Sequence, residues 1–378
     1  MLLGMTAQLS RCDVYRARLP IRSFEHAAAR RDTAEAVLVR VTLTDGAVGW
    51  GETHPRSYVT GESVRSVAND IRETLWPALT EAWPARPDAE RISAGVAQWD
   101  VEGRCTNAAA CALELAALDA ARAFPGVGRS IHARVSGVLG SEVPDRTEWR
   151  LRLMWAYGLR DFKLKLALGG EVDAENLRRV QRRLGGPLRY GTCTLRADVN
   201  GGWKADETPE RTESLRARGF CAVEQPVFAP AGELGELAAR CCLPLVADES
   251  LVTSADADEL SAAGAKVWWN IRLSKNGGLV PSLALARRAA ERGIPFVVGS
   301  MVGESGILSL WQRRLLQAAP VPRFVEGNYG RFLLKADLLR RSPRFGYGGR
   351  LRPPPAHPPH ISRRRLARHA THVATLRA

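Results

Sequence analysis

The sequence lacks several features that would assign it at once to a class of protein. No apolar run reaches the roughly 18 residues that a membrane-spanning helix needs, so we expect no transmembrane segment and no membrane partner. The N-terminus has no basic stretch followed by a long apolar run, which predicts a cytoplasmic protein without a signal peptide. The seven cysteines are an odd number and form no Cys-x-x-Cys pair, which is typical of reduced thiols rather than disulfides.

The chain carries an excess of positive charge, with 54 lysines and arginines, 40 acidic residues and a formal net charge of +14. Such an excess raises the question of nucleic-acid binding. However, from Arg350 to the C-terminus there are seven arginines and no acidic residue, so half of the excess lies in this short tail. The sequence has no basic helix, no zinc-finger spacing and no interleaving of aromatic and basic residues, so we predict no nucleic-acid partner.

The first 130 residues have the pattern of a small α+β module. Residues 35–43 and 47–52 alternate apolar and polar side chains, and the Asp-Gly pair between them is a strong hairpin signal. Helical spacing of apolar residues follows at 62–80 and 106–124. We therefore expect an N-terminal capping domain over residues 1–130.

From about residue 131, short apolar strands alternate with longer amphipathic segments. This alternation implies parallel strands, and eight of them within about 195 residues indicate a closed β/α barrel. We predict an α/β fold in which a modified TIM barrel, (β/α)7β, spans residues 131–327 beneath the α+β cap. The predicted strands lie near residues 133–138, 161–166, 195–200, 222–227, 244–250, 266–275, 295–300 and 322–327.

The end of the chain is rich in Gly, Pro and Arg, a composition typical of loops. We expect part of the segment 328–350 to belong to the capping domain. Residues 351–378 are predicted to form a basic, irregular tail.

Three consecutive strand ends carry a carboxylate, and strand ends are where barrels of this kind place their chemistry. They are Asp198 in RADVN, Glu224 in AVEQP and Asp248 in VADES. Neighbouring strands lie about 4.8 Å apart, so the three groups can converge, and they would repel one another without a cation. Ligation by oxygen alone favours Mg²⁺ or Mn²⁺, and the lack of Cys and His at these strand ends argues against zinc.

Three lysines accompany these carboxylates. Lys163 and Lys165 are two residues apart in the strand DFKLKL, so their side chains point to the same face. A lysine beside another cation has a lowered pKa and can act as a base near neutral pH, which predicts that one of the pair is a base. Lys275, after the sixth strand, would approach a central substrate from the opposite side of the barrel.

These motifs resemble the enolase superfamily, in the muconate lactonizing enzyme subgroup of the mandelate racemase/muconate lactonizing enzyme family. KLK, DVN, VEQP, ADES and SKNGG occur in the family's order and at family-like spacing. GWGETHPRSYVTGES resembles the mobile capping loops, and CALELAALDAA resembles the helix that enters the barrel. The resemblance implies an Mg²⁺-dependent enzyme that removes the proton α to a substrate carboxylate and forms an enediolate, which the metal stabilises.

The resemblance also implies which residues hold the metal. Asp198, Glu224 and Asp248 match the metal ligands of the family. Asn200 and Glu249 match positions that support those ligands from a second layer.

The remaining roles concern the substrate. Lys165 would be the acid/base on one face of the substrate and Lys275 on the other, while Lys163 would tune Lys165 and contact the substrate carboxylate. The candidate substrate-binding residues are Arg56, Tyr58, Ser300, Glu304 and Glu326.

We expect an isomerase, and two kinds of isomerase stay open. Racemisation or epimerisation of amino-acid or dipeptide derivatives needs both Lys165 and Lys275, whereas a muconate-type cycloisomerisation needs one acid/base and an electrostatic partner. Glu326 in FVEGNYG is closer to the cycloisomerase pattern, while PRSYVTGE is closer to the epimerases. A lyase of the o-succinylbenzoate synthase type and a non-catalytic binding scaffold are the alternatives. The resemblance further implies a small carboxylate substrate and a homo-oligomer.

Overall fold

The computed structural model describes residues 7–26, 29–96, 104–126, 128–355 and 360–378. The strands are β1 (Leu9–His26), β2 (Ala29–Leu43), β3 (Val48–Thr53), β4 (Gly137–Leu139), β5 (Asp161–Lys165), β6 (Thr194–Asp198), β7 (Val223–Glu224), β8 (Leu245–Ala247), β9 (Val267–Ile271), β10 (Phe296–Val298), β11 (Phe324–Val325) and β12 (Ala370–Arg377). The α-helices are α1 (Ser57–Thr60), α2 (Val64–Asp70), α3 (Trp76–Glu81), α4 (Ala89–Gly95), α5 (Asn107–Ala121), α6 (Pro144–Ala156), α7 (Gly170–Arg189), α8 (Thr208–Ala217), α9 (Ala231–Arg240), α10 (Ser254–Ser261), α11 (Leu279–Glu291), α12 (Gly306–Ala318) and α13 (Arg363–His369). None of the helices in these ranges is both long and apolar enough to cross a membrane.

The cap contains an antiparallel sheet with the strand order β12-β1-β2-β3. The predicted hairpin is present, because β2 pairs with β3 through the register Val41↔Gly49. Gly46 in its turn has a φ of 86°, a conformation that glycine adopts without strain. The Asp-Gly signal therefore identified the turn correctly.

Helix α5 packs directly on β3. An added Cβ at Gly49 would come within 2.2 Å of the carbonyl oxygen of Ala116, and one at Gly51 within 1.9 Å of the carbonyl oxygen of Ala112. Glycine in the strand and alanine in the helix thus let the two backbones approach closely. This packing explains why the helix is so rich in alanine.

The start of α5 is held by Glu62 from the loop after α1. Its buried carboxylate accepts hydrogen bonds from the amides of Ala108 and Ala109, at 2.8 and 3.0 Å. Amides in the first turn of a helix have no partner within the helix, so this carboxylate satisfies them. Burial raises the pKa of Glu62 to about 7.

The barrel consists of eight parallel strands in the order β11-β10-β9-β8-β7-β6-β5-β4. A parallel bridge between Val135 and Val325 joins its two edges, and the Ser136 amide donates to the Val325 carbonyl at 2.7 Å. Each of the eight strands overlaps the range predicted for it. The fold class predicted from the sequence is therefore confirmed.

Alternate residues of the barrel strands point into the barrel. An apolar layer forms the floor and consists of Ala222, Val246, Trp268, Val297 and Phe324. Two residues further along the same strands are Glu224, Asp248, Asn270, Gly299 and Glu326. A polar layer thus lies directly above the apolar floor, at the C-terminal ends of the strands.

The prediction of an irregular C-terminal tail is wrong for residues 363–377. Helix α13 is followed by β12, which pairs antiparallel with β1 from Ala17↔Ala370 to Arg11↔Arg377. This strand covers the outer edge of the sheet, and the Trp76 indole donates to the Arg377 carbonyl at 3.2 Å. Its partner strand lies some 360 residues earlier, so no local pattern could indicate the pairing.

Glu52, in β3, links the cap to the barrel. Its buried carboxylate accepts hydrogen bonds from the amide and hydroxyl of Ser305, at 2.8 and 2.5 Å, and from the amide of Leu308 at 3.1 Å. These groups form the N-terminus of α12, where a negative charge is favourable. The loop after β3, which carries Arg56 and Tyr58, is thereby anchored beside the mouth of the barrel.

Candidate active site

A cavity of about 1010 Å³ opens onto the polar layer of the barrel. It is bounded by barrel strand ends, by the loop after β3 and by the segment 331–335. Most of the predicted site residues line it, namely Arg56, Tyr58, Lys163, Lys165, Asp198, Asn200, Glu249, Ser300 and Glu326.

Lys163 is almost completely buried among three carboxylates. Its ammonium lies 3.2 Å from Asp198, 3.0 Å from Glu224 and 2.7 Å from Glu326. Burial disfavours the charged lysine, but the three carboxylates outweigh it and raise the pKa of Lys163 above its ordinary value. Lys163 is therefore a permanent positive charge in the polar layer that borders the cavity.

Lys165 also lines the cavity, on the same face of β5. Its ammonium donates to Asp198 Oδ2 and to Asn200 Oδ1, both at 2.8 Å. Gly140, with a φ of 120°, lies directly beside it, and an added Cβ there would come within 2.8 Å of Lys165 Cβ. Because residue 140 has no side chain, there is room beside it for the side chain of Lys165.

Glu326 connects Lys163 to a second buried cation, Arg196. The Arg196 guanidinium donates to Glu326 Oε1 at 3.0 Å, lies 3.7 Å from Glu224 and stacks 4.2 Å from the centre of the Phe324 ring. Burial would raise the pKa of Glu326, but Lys163 and Arg196 lower it to about 2. Glu326 is thus an ionised part of a buried charge network.

Arg272 faces the cavity from the opposite side. It follows β9 directly, and its guanidinium contacts Asp248 and lies 3.4 Å from Glu224. Three strands, β6, β7 and β8, separate β9 from β5, so Arg272 stands across the barrel from Lys165. Burial disfavours its charge, but the carboxylates of Asp248 and Glu224 raise its pKa.

Lys275 lies beside Asp248, one of the predicted metal ligands. It is not among the described residues that line the cavity, but its ammonium lies 3.1 Å from Asp248 Oδ1 and donates to the carbonyls of Asp248 and Asn270, at 2.6 and 2.7 Å. Burial lowers its pKa. The reason for this placement is that β9 ends at Ile271, so the alternation that directs strand residues inwards no longer applies at position 275.

Glu304 lies in the loop after β10 and is buried. Glu304 is not among the described residues that line the cavity. Its carboxylate accepts a hydrogen bond from the amide of Met301 at 2.6 Å. Burial raises its pKa to about 8. The side chain shapes the loop after β10, whereas Ser300 in the same loop does line the cavity.

The carboxylates have the donor chemistry of a site for a hard cation. Asp198 Oδ1 and Glu249 Oε2 are buried and accept no hydrogen bond from the described residues. Such oxygens are rare in folded proteins and suit Mg²⁺ or Mn²⁺. Burial, and secondly the neighbouring carboxylates, raise the pKa of Glu224 to about 7 and that of Glu249 to about 8.

The predicted ligands are nevertheless not gathered around one point. No three acidic, His or Cys side chains among the described residues are arranged to hold a metal. The reason is that Lys163 lies between Asp198 and Glu224, and Arg272 lies between Glu224 and Asp248. The two cations neutralise the carboxylates that the sequence assigned to a metal.

Arg196 and Arg272 were missed at the level of sequence. The signal was available, because each lies two residues from a polar strand residue, Asp198 and Asn270 respectively, and therefore shares its inward face. The same reasoning that paired Lys163 with Lys165 applies to both.

The cap, the barrel and the polar layer at its strand ends together define a capped β/α-barrel enzyme. The chain belongs to the mandelate racemase/muconate lactonizing enzyme family of the enolase superfamily, because residues 10–127 match the N-terminal domain of that family and residues 147–357 match the enolase C-terminal domain-like model. The resemblance in the motifs is thereby confirmed.

Relatives with different activities match over most of the chain. N-succinyl-L-Arg/Lys racemase of Bacillus cereus is 28% identical over 315 residues, which are 78% of this chain and 80% of the relative. Muconate cycloisomerase 1 of Pseudomonas putida is 28% identical over 339 residues, 83% and 84% of the two chains. The crystal structure of the Bacillus cereus racemase has a TM-score of 0.82 and 25% identity, and the match covers 98% of this chain and all of the other.

Proposed function

We propose that this protein is an Mg²⁺-dependent isomerase that removes the proton α to a substrate carboxylate from one face only, with Lys165 as the acid/base. The reaction class is then a cycloisomerisation rather than a racemisation. The observation that carries this proposal is the pair of cations that face each other across the cavity, Lys165 on one side and Arg272 on the other.

The two lysines of β5 have different proposed roles because they contact different groups. Three carboxylates hold Lys163 in its charged form, so it serves as an electrostatic anchor for the substrate carboxylate and not as a base. Lys165 lines the cavity, and its ammonium donates to Asp198 Oδ2 and Asn200 Oδ1. Once it has released a proton, its amine is placed to take one from a carbon held beside it.

On the opposite face, the cation among the described residues that line the cavity is Arg272. A guanidinium stays protonated in proteins, so Arg272 cannot accept the α-proton. It can stabilise negative charge that develops on the substrate, which is the electrostatic role that a one-base reaction requires. Lys275 contacts Asp248 through both its carboxylate and its carbonyl, and the Asn270 carbonyl as well, so its ammonium is engaged beneath Arg272 and we assign the second face to Arg272.

The residues that would hold Mg²⁺ are Asp198, Glu224 and Asp248, with Glu249 beside them. When bound, the ion would supply positive charge that stabilises an enediolate. Lys163 and Arg272 contact the same carboxylates, so they would share them with the ion.

Two of the relatives are named for reactions that are consistent with a single acid/base. The cycloisomerase of Pseudomonas putida matches over 83% of this chain, and an o-succinylbenzoate synthase of Geobacillus kaustophilus is 29% identical over 73%. Loss of water in the manner of the synthase is therefore the second candidate. It is favoured by the same observation, since a lyase also needs a single acid/base and a fixed cation.

The test is α-proton exchange in D₂O, followed by proton NMR with Mg²⁺-loaded protein and a panel of lactone and N-acyl amino-acid carboxylates. We expect exchange with the wild type, loss of exchange in Lys165→Met and in EDTA-treated protein, and recovery on addition of Mg²⁺. Lys266→Met, which alters an exposed lysine outside the site, is the matched control. Exchange that survives in Lys165→Met would contradict the proposal, and release of water without isomer would indicate the lyase.

A further inference from the structure

The turn at residues 272–278, which follows β9, lies between the barrel and the cap. It carries Arg272 to the cavity, and its other residues are all buried. The side-chain oxygen of Asn276 accepts a hydrogen bond from the Arg272 amide at 2.9 Å, and the Arg272 carbonyl accepts from the amides of Lys275 and Asn276, at 3.0 and 2.9 Å. The conformation of the turn therefore fixes the backbone from which the Arg272 side chain extends.

Asn107, the first residue of α5, contacts this turn from the cap. It is buried, and its side-chain amide donates to the carbonyl of Lys275 at 2.8 Å and to the carbonyl of Val252 at 2.9 Å. Val252 lies four residues after Asp248, in the loop that follows β8. Because the carboxylate of Asp248 pairs with Arg272, one side chain of the cap links the two loops that carry this ion pair.

Glu114, about two turns further along α5, contacts the other end of the turn. Its buried carboxylate accepts hydrogen bonds from the amides of Leu279 and Val280, at 2.5 and 3.3 Å, and from the hydroxyl of Ser93 at 2.6 Å. The two amides begin α11, where they lack a partner within the helix and favour a negative charge. An added Cβ at Gly278, which has a φ of 120°, would come within 2.0 Å of Glu114 Oε2, so the glycine lets the carboxylate reach them.

A third contact joins the middle of the turn to the cap. The His54 amide, in the loop after β3, donates to the hydroxyl of Ser274 at 3.3 Å. The same loop carries Arg56 and Tyr58, which line the cavity. The cap thus contacts the turn near its middle through His54 and Asn107, and at its end through Glu114.

We propose that Asn107 and Glu114 are positioning residues for the reaction, because they hold the turn 272–278 from the cap and thereby place the guanidinium of Arg272 opposite Lys165. This proposal rests on the proposed function and extends it to two residues that are not among the described lining of the cavity. Arg272 acts on charge that develops in the transition state, so loss of its position should lower kcat and leave KM unchanged. A misplacement of about 1 Å can lower a rate by about 100-fold.

The first test is independent of activity and measures amide hydrogen–deuterium exchange by mass spectrometry, in peptides of the full chain that contain residues 272–276. We expect about ten-fold faster exchange or more in Asn107→Ala, because two buried carbonyls lose a donor. Glu114→Gln, which keeps the size of the side chain, should also accelerate exchange and provides a second variant if Asn107→Ala does not fold.

Asp119→Ala is the matched control for both variants. Asp119 is a buried carboxylate on the same helix, but it accepts from the Trp50 amide, at 2.9 Å, within the cap. It should leave the amide exchange of the turn within about two-fold of the wild type. The proposal is overturned if the variants at Asn107 and Glu114 leave this exchange unchanged, or if the control accelerates it equally.

The second test is a double-mutant cycle with Arg272, with a substrate whose α-proton the Mg²⁺-loaded wild type exchanges. Asn107→Ala should lower kcat about ten-fold or more with KM within about two-fold. In an Arg272→Met background the same change should alter kcat by no more than about two-fold, because no guanidinium is left to position. An equal loss of kcat in both backgrounds would show a purely structural role and overturn the proposal.

The two tests separate this proposal from the proposed function. Unchanged amide exchange of the turn refutes the roles of Asn107 and Glu114 even if the wild type exchanges an α-proton. Faster amide exchange in these variants, together with a wild type that exchanges no α-proton of any substrate in the panel, refutes the function while the contacts of the cap with the turn are supported.

Discussion

Replacement of Glu326 by alanine should destabilise the barrel, because it removes the nearest carboxylate from the buried guanidinium of Arg196. Glu326 lies 2.7 Å from Lys163 and 3.0 Å from Arg196, and Arg196 is completely buried. In Glu326→Ala, Lys163 keeps two carboxylates, but of the carboxylates that the structure describes Arg196 retains Glu224 alone, at 3.7 Å. Removal of one partner of a buried ion pair typically costs about 3–5 kcal/mol.

That cost can be converted into a shift of the unfolding temperature. The entropy of unfolding is roughly 2.1 cal/mol/K per residue, or about 0.8 kcal/mol/K for a chain of this length. A loss of about 3–5 kcal/mol therefore lowers Tm by about 4–6 °C, which differential scanning calorimetry resolves.

The matched control is Glu207→Ala, which removes a carboxylate that pairs with Arg211 at 3.0 Å on the surface. Exposed pairs contribute about 0–1 kcal/mol, so the control should shift Tm by about 1 °C at most. The double variant Arg196→Met/Glu326→Ala no longer contains the buried guanidinium that has lost its partner, so it should be more stable than Glu326→Ala alone. The reasoning is refuted if Glu326→Ala resembles the control, or if the double variant shows no recovery.

Three further predictions address the acid/base, the cap and the C-terminus. Arg272→Lys places a titratable amine opposite Lys165 and should introduce slow α-proton exchange with the second enantiomer of a chiral substrate; NMR that still detects only one labelled enantiomer would contradict this. Burial raises the pKa of Asp119 from 3.8 to about 7, so its stabilising contribution is full below pH 3.8 and is lost as the pH rises through about 7. Urea denaturation should therefore show wild type losing stability relative to Asp119→Asn across that range, and a difference independent of pH would refute it. A chain ending at residue 355 lacks β12 and leaves the edge of β1 unpaired, so it should have a lower Tm and a greater tendency to associate, as measured by calorimetry and light scattering; an unchanged Tm and an unchanged particle size would contradict the role of β12.

Local periodicity was sufficient to predict much of the barrel and its floor. The two-residue spacing of Lys163 and Lys165 correctly predicted one inward face, and the carboxylates of three successive strands do lie on neighbouring strands in the structure. Both inferences depend only on the alternation of side chains along a strand. The sequence therefore predicts reliably what lies within a strand.

Sequence patterns were not sufficient beyond the end of a strand, or where two paired strands are far apart in the sequence. Lys275 was predicted to face the substrate from across the barrel, but the chain turns after Ile271, so its ammonium contacts Asp248 and the Asn270 carbonyl while Arg272 takes the inward position. Strand β12 follows a proline-rich segment and finds its partner at the other end of the chain, so its pairing is set by tertiary contacts. The contacts of Lys163 and Arg272 between carboxylates likewise depend on side-chain positions that no sequence motif specifies.

The central claim is that the α-proton leaves from one face, towards Lys165, with Arg272 fixed on the other. The most direct measurement is the incubation of each enantiomer of an active substrate separately with Mg²⁺-loaded wild type in D₂O, followed by NMR of the recovered acid. The account predicts deuterium in one enantiomer, with retained configuration, and none in the other. Deuterium in both enantiomers, accompanied by racemisation, would show a second base on the face of Arg272 and would contradict it.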